Sequence, residues 1–466
     1  MRKSLQNIVW GQLFLLMGMF LLMACSINGS GEYVYIDPGN TGSSIRDGSK
    51  ENPYLNWSEV TIASHTTYLV KRSSVIKLHR PLNINGKVNV NIRPYGNGSM
   101  PLILTQYVSK PVNIYNSTRV RLSDIAIQGD QATIYCIRVL GDSEEVTIED
   151  CKFSDAIWGI RLIGFKKNNQ PNRITIRKTE IHDTGDDGIF AQHVNNLVVD
   201  SCHIYKVNQK WFTHGVTESQ APGDGIQIDQ CRNFTVTNSR IDRSDTGNKF
   251  CIIANKSIHG LVENNVLTGP SKDGMGGACI YFGYGTDSVK VNWNTLSGSP
   301  CGIYSHAKNS LVFRNIFKYN DLGVRFIDVQ EAAVINNTFW NNQISIKGSR
   351  ISVYNNIIYG DSNEKLVYYY APYKADYNCY FHPGIHLSKR FSAKNLIFSN
   401  EDHQAHDHHS IFSDPLFEDN PSSLELSERS PCIDKGTMEY QSWGVVYTHT
   451  GEKPDMGAKE WVRNKE

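Results

Sequence analysis

Val236-Thr237-Asn238 and Val262-Glu263-Asn264 are two copies of one phrase: an aliphatic residue, a variable one, then Asn or Asp. The phrase also stands at Leu122-Ser123-Asp124, Ile148-Glu149-Asp150, Phe313-Arg314-Asn315, Ile335-Asn336-Asn337 and Val353-Tyr354-Asn355. Degenerate copies lie at Ile176-Arg177-Lys178, Val199-Asp200-Ser201 and Val291-Asn292-Trp293. Successive copies are 18 to 37 residues apart, the period of a solenoid whose repeat is one turn. Each repeat carries a second run in which Gly or Cys precedes alternating apolar residues. Examples are Gly188-Ile189-Phe190-Ala191, Gly225-Ile226-Gln227-Ile228, Cys251-Ile252-Ile253-Ala254, Cys279-Ile280-Tyr281-Phe282, Gly302-Ile303-Tyr304-Ser305 and Gly323-Val324-Arg325-Phe326. Such short period-2 runs, separated by Asn, Gly and Asp turns, are too brief for a sandwich but stack coil on coil. They predict an all-β chain, a right-handed parallel β-helix of roughly 10–12 coils. The turn Asn is read as a structural ladder, its amide bonding the backbone of adjacent coils.

The ends and composition set the context. Met1-Arg2-Lys3, an apolar stretch through Met23 and then Leu22-Met23-Ala24-Cys25 have the pattern of a secretory signal ending in a bacterial lipobox. The expected division is a signal over 1–24, a linker and cap over 25–72, the β-helix over 73–400 and a capping segment over 401–466. Cys25 is the expected lipidation site, which places a monomer in the bacterial cell envelope, held to the membrane by its lipid anchor. A net charge of +1 argues against partners bound by bulk charge, nucleic acid among them, while 11% aromatic content suits sugar stacking. Cys251, Cys279 and Cys301 fall at or next to equivalent coil positions, which favours a column of small side chains over a disulfide framework. The run His403, His406, His408 and His409 has no metal-type spacing and is read as a surface loop.

Ile92-Arg93-Pro94-Tyr95-Gly96-Asn97-Gly98, followed by Pro101, resembles the opening coils of secreted bacterial β-helix proteins of the pectate-lyase-like superfamily. Asp414-Pro415-Leu416-Phe417, Ser430-Pro431-Cys432-Ile433-Asp434 and Asp455-Met456-Gly457-Ala458 resemble their closing segment. The resemblance speaks for architecture first, because one such fold hosts many activities.

Chemistry concentrates where three coils enter the Gly/Cys strand: Asp183 to Gly188, Pro222 to Gly225 and Asp245 to Phe250. Aligning the strands puts Asp187, Asp224 and Phe250 in one column, with Asp186 and Lys249 in the column before it. If Ile226, Ile228, Ile252 and Ile280 point inward, alternation turns Gln227, Asp229, Tyr281, Tyr304, His306 and Arg325 outward. The coil between Ser201 and Asn238 is overlong, so a loop bearing Trp211, Phe212 and His214 must leave the solenoid and can wall a groove.

Two enzyme classes compete for this set. A uronate lyase needs a base for the C5 proton, a partner for the neighbouring carboxylate and a proton donor for the leaving oxygen. Lys249, its pKa lowered by its surroundings, is the expected base and Tyr281 or Tyr304 the donor. Gln227, Asp229, Trp211, His214, His306 and Arg325 are the expected substrate contacts, and Asp186, Asp187 and Asp224 the ligands of a Ca2+ ion. The substrate is then an acidic polysaccharide. Gly223-Asp224-Gly225-Ile226-Gln227 with Ser244 to Lys249 resembles polysaccharide lyase family 31, which implies a lysine base acting on alginate-like or glucuronan-like chains. Related lyases of this fold pair that lysine with an arginine one coil on, where this chain has Lys272, Asp273 and Tyr281 instead. The rivals are a polygalacturonase-type hydrolase working through paired carboxylates and a lipid-anchored glycan-binding protein without catalysis. The Asp-Pro-His segment associated with mannuronan epimerases is absent.

Overall fold

The computed structural model describes residues 32–42, 45–165, 169–207, 223–245, 249–270, 276–361, 365–384, 396–400, 406–418, 423–438, 443 and 449–462. Residues 1–31, with Cys25, and the residues Trp211 and His214 lie outside them.

Each coil contributes three short strands, and each strand pairs in parallel with its equivalent one coil away. The front stack runs through Ile189–Gln192, Ile226–Asp229, Phe250–Asn255, Ala278–Phe282, Cys301–Ser305 and Leu322–Phe326. A corner leads to the second stack, which includes Asn195–Asp200, Arg232–Thr237, Ile258–Glu263 and Asp287–Asn292. The third is a separate 13-stranded sheet that includes His203–Tyr205, Arg240–Asp242 and Val266–Thr268. The first two merge into one 25-stranded sheet through the long strands Ile344–Tyr354 and Val367–Asp376. Stacking starts at Glu32–Ile36, which pairs with Thr66–Val70.

The register is the one that the Gly/Cys runs predict. Ile226 pairs with Ile252, Ile252 with Ile280, Ile280 with Ile303 and Ile303 with Val324. All five are fully buried, and burying each such side chain contributes about 1.5–3 kcal/mol, so a slip of one residue would forfeit the whole column. The small residue ahead of each run has a steric cause. A Cβ on Gly225 would lie 2.5 Å from the Cys251 carbonyl oxygen, and one on Gly302 would lie 2.5 Å from that of Gly323. The nine described cysteines are free and buried.

Asparagines form the expected ladder, with one correction of frame. The turn residues Asn238, Asn264, Trp293, Arg314, Asn336 and Asn355 take left-handed backbone, while the buried ladder is made by the residue after each, from Asn265 through Asn294, Asn315, Asn337 and Asn356 to Asn378. Pairing of Val291 with Val312 and of Val312 with Val334 shows that Phe313 and Ile335 sit one place later than the aliphatic residue of the phrase. Their side chains face outward with Leu311 and Ala333, and Met438 and Trp443 cover them. Asn336 binds the same strap of chain through the carbonyls of Asp455 and Gly457, and Arg314 pairs with Glu460 at 2.8 Å. The closing segment thus lies along the side of the solenoid.

Asn337 Oδ1 accepts from the Asn315 backbone and side-chain amides, while its own amide donates to Val312, Ile335 and Asn356. Asn337→Ala leaves these buried groups unpaired and is expected to cost roughly 2–4 kcal/mol. Chemical denaturation should show the loss, and amide exchange should rise first in the coils around 291–356.

Candidate active site

The acidic turn is assembled by the register. Asp186, Gly223 and Lys249 occupy one position on three successive coils, and Asp187, Asp224 and Phe250 the next. What alignment alone does not show is direction. Asp187 and Asp224 point into the turn and are 1% and 2% exposed. Asp187 Oδ1 accepts the backbone N–H of Asp224 at 2.7 Å, and Asp224 Oδ1 accepts that of Phe250 at 2.9 Å. Each carboxylate therefore caps the next coil. Close to them lies Arg243, a fully buried arginine. A guanidinium stays charged and needs a buried counter-charge.

Two carboxyls around one guanidinium leave a spare negative charge, and the structure favours holding it as a proton. Burial, with the charges of Asp186 and Asp224, holds the Asp187 carboxyl well above the usual range. Burial raises Asp224 too, but Arg243 is the strongest influence opposing the rise. The Arg243 charge thus offsets that of Asp224 most, while Asp187 is held toward its protonated form. The expected Ca2+ site does not fit this arrangement. Asp187 and Asp224 spend an oxygen each on backbone amides and face inward, and the described residues contain no group of three or more His, Cys, Asp or Glu placed to hold a metal.

Asp186 is the member of the trio that reaches the surface. Burial pushes it up to about 6, against the opposing charges of Arg161 and Lys249. Lys249 stands beside it, half-buried, with a φ of +117°, whereas every other described non-glycine residue with positive φ lies between +45° and +61°. Holding a side chain there costs of order 1–3 kcal/mol, a strain that gathers at functional sites. Lys249 and the carboxylates come together as the sequence indicates.

The outward file is present as well. Gln227, Asp229, Tyr281, Tyr304 and Arg325 are all partly exposed on the front face. Gln227 Nε2 donates to Asp229 Oδ2 at 2.8 Å, and Asn255 donates to Asp229 Oδ1 at 3.1 Å, so Asp229 is held in place. Phe250 stacks on Tyr281 with centroids 4.8 Å apart, and Tyr304 meets Tyr281 edge-on at 5.4 Å. Burial beside Tyr304 and Tyr284 raises the Tyr281 phenol above its usual value, so it stays protonated. His306 departs from expectation. It is 7% exposed, packed on Tyr284 at 4.0 Å and Tyr304 at 5.1 Å, and burial lowers its pKa, which keeps the ring neutral. It shapes the floor more than it meets solvent. His409, from the histidine-rich run, is tied to Asp376 at 2.8 Å and stacks on Tyr377.

The sequence reading missed Arg161. The Gly159-Ile160-Arg161-Leu162 run pairs with Gly188 to Ala191, which puts Arg161 on the front face beside Asp186. The same alternation that located Gln227 would have located it, had the column been extended one coil before Asp186. A concavity of about 750 Å³ lies instead around the corner, between Asp142, Glu144, Asn172, Asn196, Arg232 and Lys256. Its amides are bonded to one another, Asn196 to Asn172 and Asn233 to Asn196. It holds none of the acidic turn.

Residues 111–276 match the family described as right handed beta helix region, and residues 213–380 that described as periplasmic copper-binding protein (NosD). No curated protein sequence matches the chain. Among solved structures, a lacto-N-biosidase of family GH136 from Eubacterium ramulus is 13% identical with a TM-score of 0.47, over 83% of this chain and 67% of that one. Pectate lyase Pel9A is 15% identical with a TM-score of 0.41, over 92% and 96%. The A-module of mannuronan C-5 epimerase AlgE4 from Azotobacter vinelandii is 12% identical with a TM-score of 0.45, over 75% and 91%. The protein is a right-handed parallel β-helix.

A carboxyl whose pKa is raised on folding favours the folded state below the ordinary carboxylate range, and that contribution is lost as pH climbs through the raised value. Asp187 is such a group. Asp187→Asn keeps an acceptor for the Asp224 amide and cannot ionise. It is expected to melt with wild type at pH 4 and a few degrees above it under alkaline conditions, as read by thermal scans across pH.

Proposed function

We propose that the protein is a polysaccharide lyase that cleaves a uronate-containing chain by β-elimination on the front face of the β-helix. The observation that carries this reading is the burial of Asp187 and Asp224. A hydrolase of the rival type needs two carboxyl groups facing the scissile bond, and of the trio Asp186, Asp187 and Asp224 only Asp186 reaches the surface. Elimination needs a base and an acid, and Lys249 and Tyr281 stand on neighbouring coils of this face.

In this reading the amine of Lys249 takes the C5 proton. The electrons of that C–H bond form the C4–C5 double bond while the C4–O4 bond breaks, and the phenol of Tyr281, with Tyr304 behind it, protonates the departing O4. Arg161, three strand-to-strand steps from the Lys249 coil, is the positive group for the carboxylate of a neighbouring uronate on the same chain. The strained backbone of Lys249 supports a role beyond that of a surface charge. The resemblance of Gly223 to Gln227 and Ser244 to Lys249 to polysaccharide lyase family 31 favours alginate-like or glucuronan-like chains. The lipobox at Cys25 and the periplasmic name of one matched family favour the cell envelope.

Incubation with polymannuronate, alginate, glucuronan and polygalacturonate separates the classes. A lyase raises both the ultraviolet absorbance of the unsaturated uronate and the count of reducing ends. A hydrolase raises reducing ends alone, and a binding protein neither. Lys249→Ala is expected to lower kcat by about 10²–10⁴-fold with little change in melting temperature. A variant that keeps more than about a tenth of wild-type turnover returns Lys249 to the role of an ion-pair partner for Asp186.

A further inference from the structure

The outward column of the front face has a polarity that the acidic turn obscures. Arg138 pairs in register with Arg161, and Tyr304 with Arg325, which pairs with Lys347. The stretch of the column from Arg138 to Lys347 therefore has a cationic pair at each end. Phe190, Gln227, Ile253, Tyr281 and Tyr304 lie between them.

Each of these cations is carried by an aromatic ring. The Arg161 guanidinium carbon lies 4.4 Å from the Trp158 ring and 5.2 Å from that of Phe190, and Arg138 lies 5.3 Å from Tyr135. At the other end Arg325 lies 4.9 Å from Tyr304 and Lys347 5.7 Å from Tyr368. Arg138 also bonds Asn113 and the Tyr135 hydroxyl, both neutral. None of the four makes a salt bridge with a carboxylate of the described residues. Arginines elsewhere do so: Arg121 and Arg177 clamp Glu149, Arg173 binds Glu144 and Glu145, and Arg72 binds Asp124. Arg161 Nε is also buried with no hydrogen-bond partner.

Stacking occupies the flat face of a guanidinium and leaves its N–H edge free, the edge that grips a carboxylate. A net charge of +1 gives no general pull on polyanions, so these stations act locally. Six strand-to-strand steps separate Arg161 from Arg325, on the order of 29 Å at the parallel spacing.

We propose that the two stations are the ends of one docking track for a linear carboxylated polysaccharide, lying along the solenoid axis and long enough to touch both at once. The substrate class rests on the lyase reading above, while the track and its length stand on the geometry of the column. A chain that reaches one station binds weakly. A chain that spans both gains the second contact as an intramolecular one.

Calorimetric titration of the full chain on the Lys249→Ala background, which keeps the ligand intact, tests this. Probes are uronate oligomers from the dimer upward, neutral xylo-oligosaccharides of equal length and a sulfated glycan of the longest length. Affinity should climb with uronate length and level off once both stations are reached. Arg161→Gln and Arg325→Gln should each weaken the longest oligomer about tenfold and remove most of the length dependence, with melting temperatures unchanged. Equal affinity for short and long oligomers, long-chain binding untouched by either substitution, or equally tight neutral chains would overturn the track. Tighter binding of the sulfated glycan would overturn the carboxylate assignment. Length-dependent binding by a wild-type protein that releases no unsaturated product would refute the lyase reading alone, and unsaturated product with length-independent binding would refute the track alone.

Discussion

The bond from a side chain to the backbone amide of a neighbouring coil is the interaction on which the rest of this molecule depends. Strand ladders hold the flat faces of the solenoid, but at the corners the backbone turns and its amides need other partners. From Asn265 to Asn378 the partner is an asparagine, whose side chain both accepts and donates and so serves two coils with no charge. At the turn that enters the front face it is an aspartate, which has acceptors only. Asp187 and Asp224 do the same job at the cost of a buried charge, and Arg243 and a retained proton offset it.

This exchange explains why the site lies where it does. A column of neutral ladder residues gives a corner with no chemistry. Replacing it over two coils by carboxyls, with Asp186 and Lys249 one position earlier, produces a patch whose proton balance differs from that of the rest of the surface. The aromatic file beside it, Phe250 on Tyr281 and Tyr281 against Tyr304, supplies flat apolar area and a phenol that holds its proton. Scaffold and chemistry thus share the same positions.

How much of this can be read from sequence follows from what periodicity encodes. Register is a matter of counting, and the columns Asp187-Asp224-Phe250 and Ile226-Ile252-Ile280 were legible because Gly and Cys mark every strand start. Direction at a turn is not encoded by counting. Asp187 and Asp224 leave the strand alternation one residue before it begins, so only the backbone path shows that they turn inward. The slip at Phe313 and Ile335 has a related cause: an aliphatic residue outside the core looks like one inside it when the chain supplies its own cover. His306 was placed by alternation beyond the end of its strand, where Tyr284 closes over it. Trp211, His214 and Cys25 lie outside the described residues.

That cover has a consequence for how the molecule is made. Coils up to about Asn309 bury their apolar residues against the coils before and after them, so they can stack in the order in which they leave the ribosome. The strip of Leu311, Phe313, Ala333 and Ile335 cannot be finished that way, because Met438 and Trp443 cover it and Glu460 neutralises Arg314 at its edge. About a hundred further residues must be synthesised before these arrive. For that interval the nascent solenoid carries an open apolar seam on its flank, the kind of transiently exposed surface at which one chain mispairs with another.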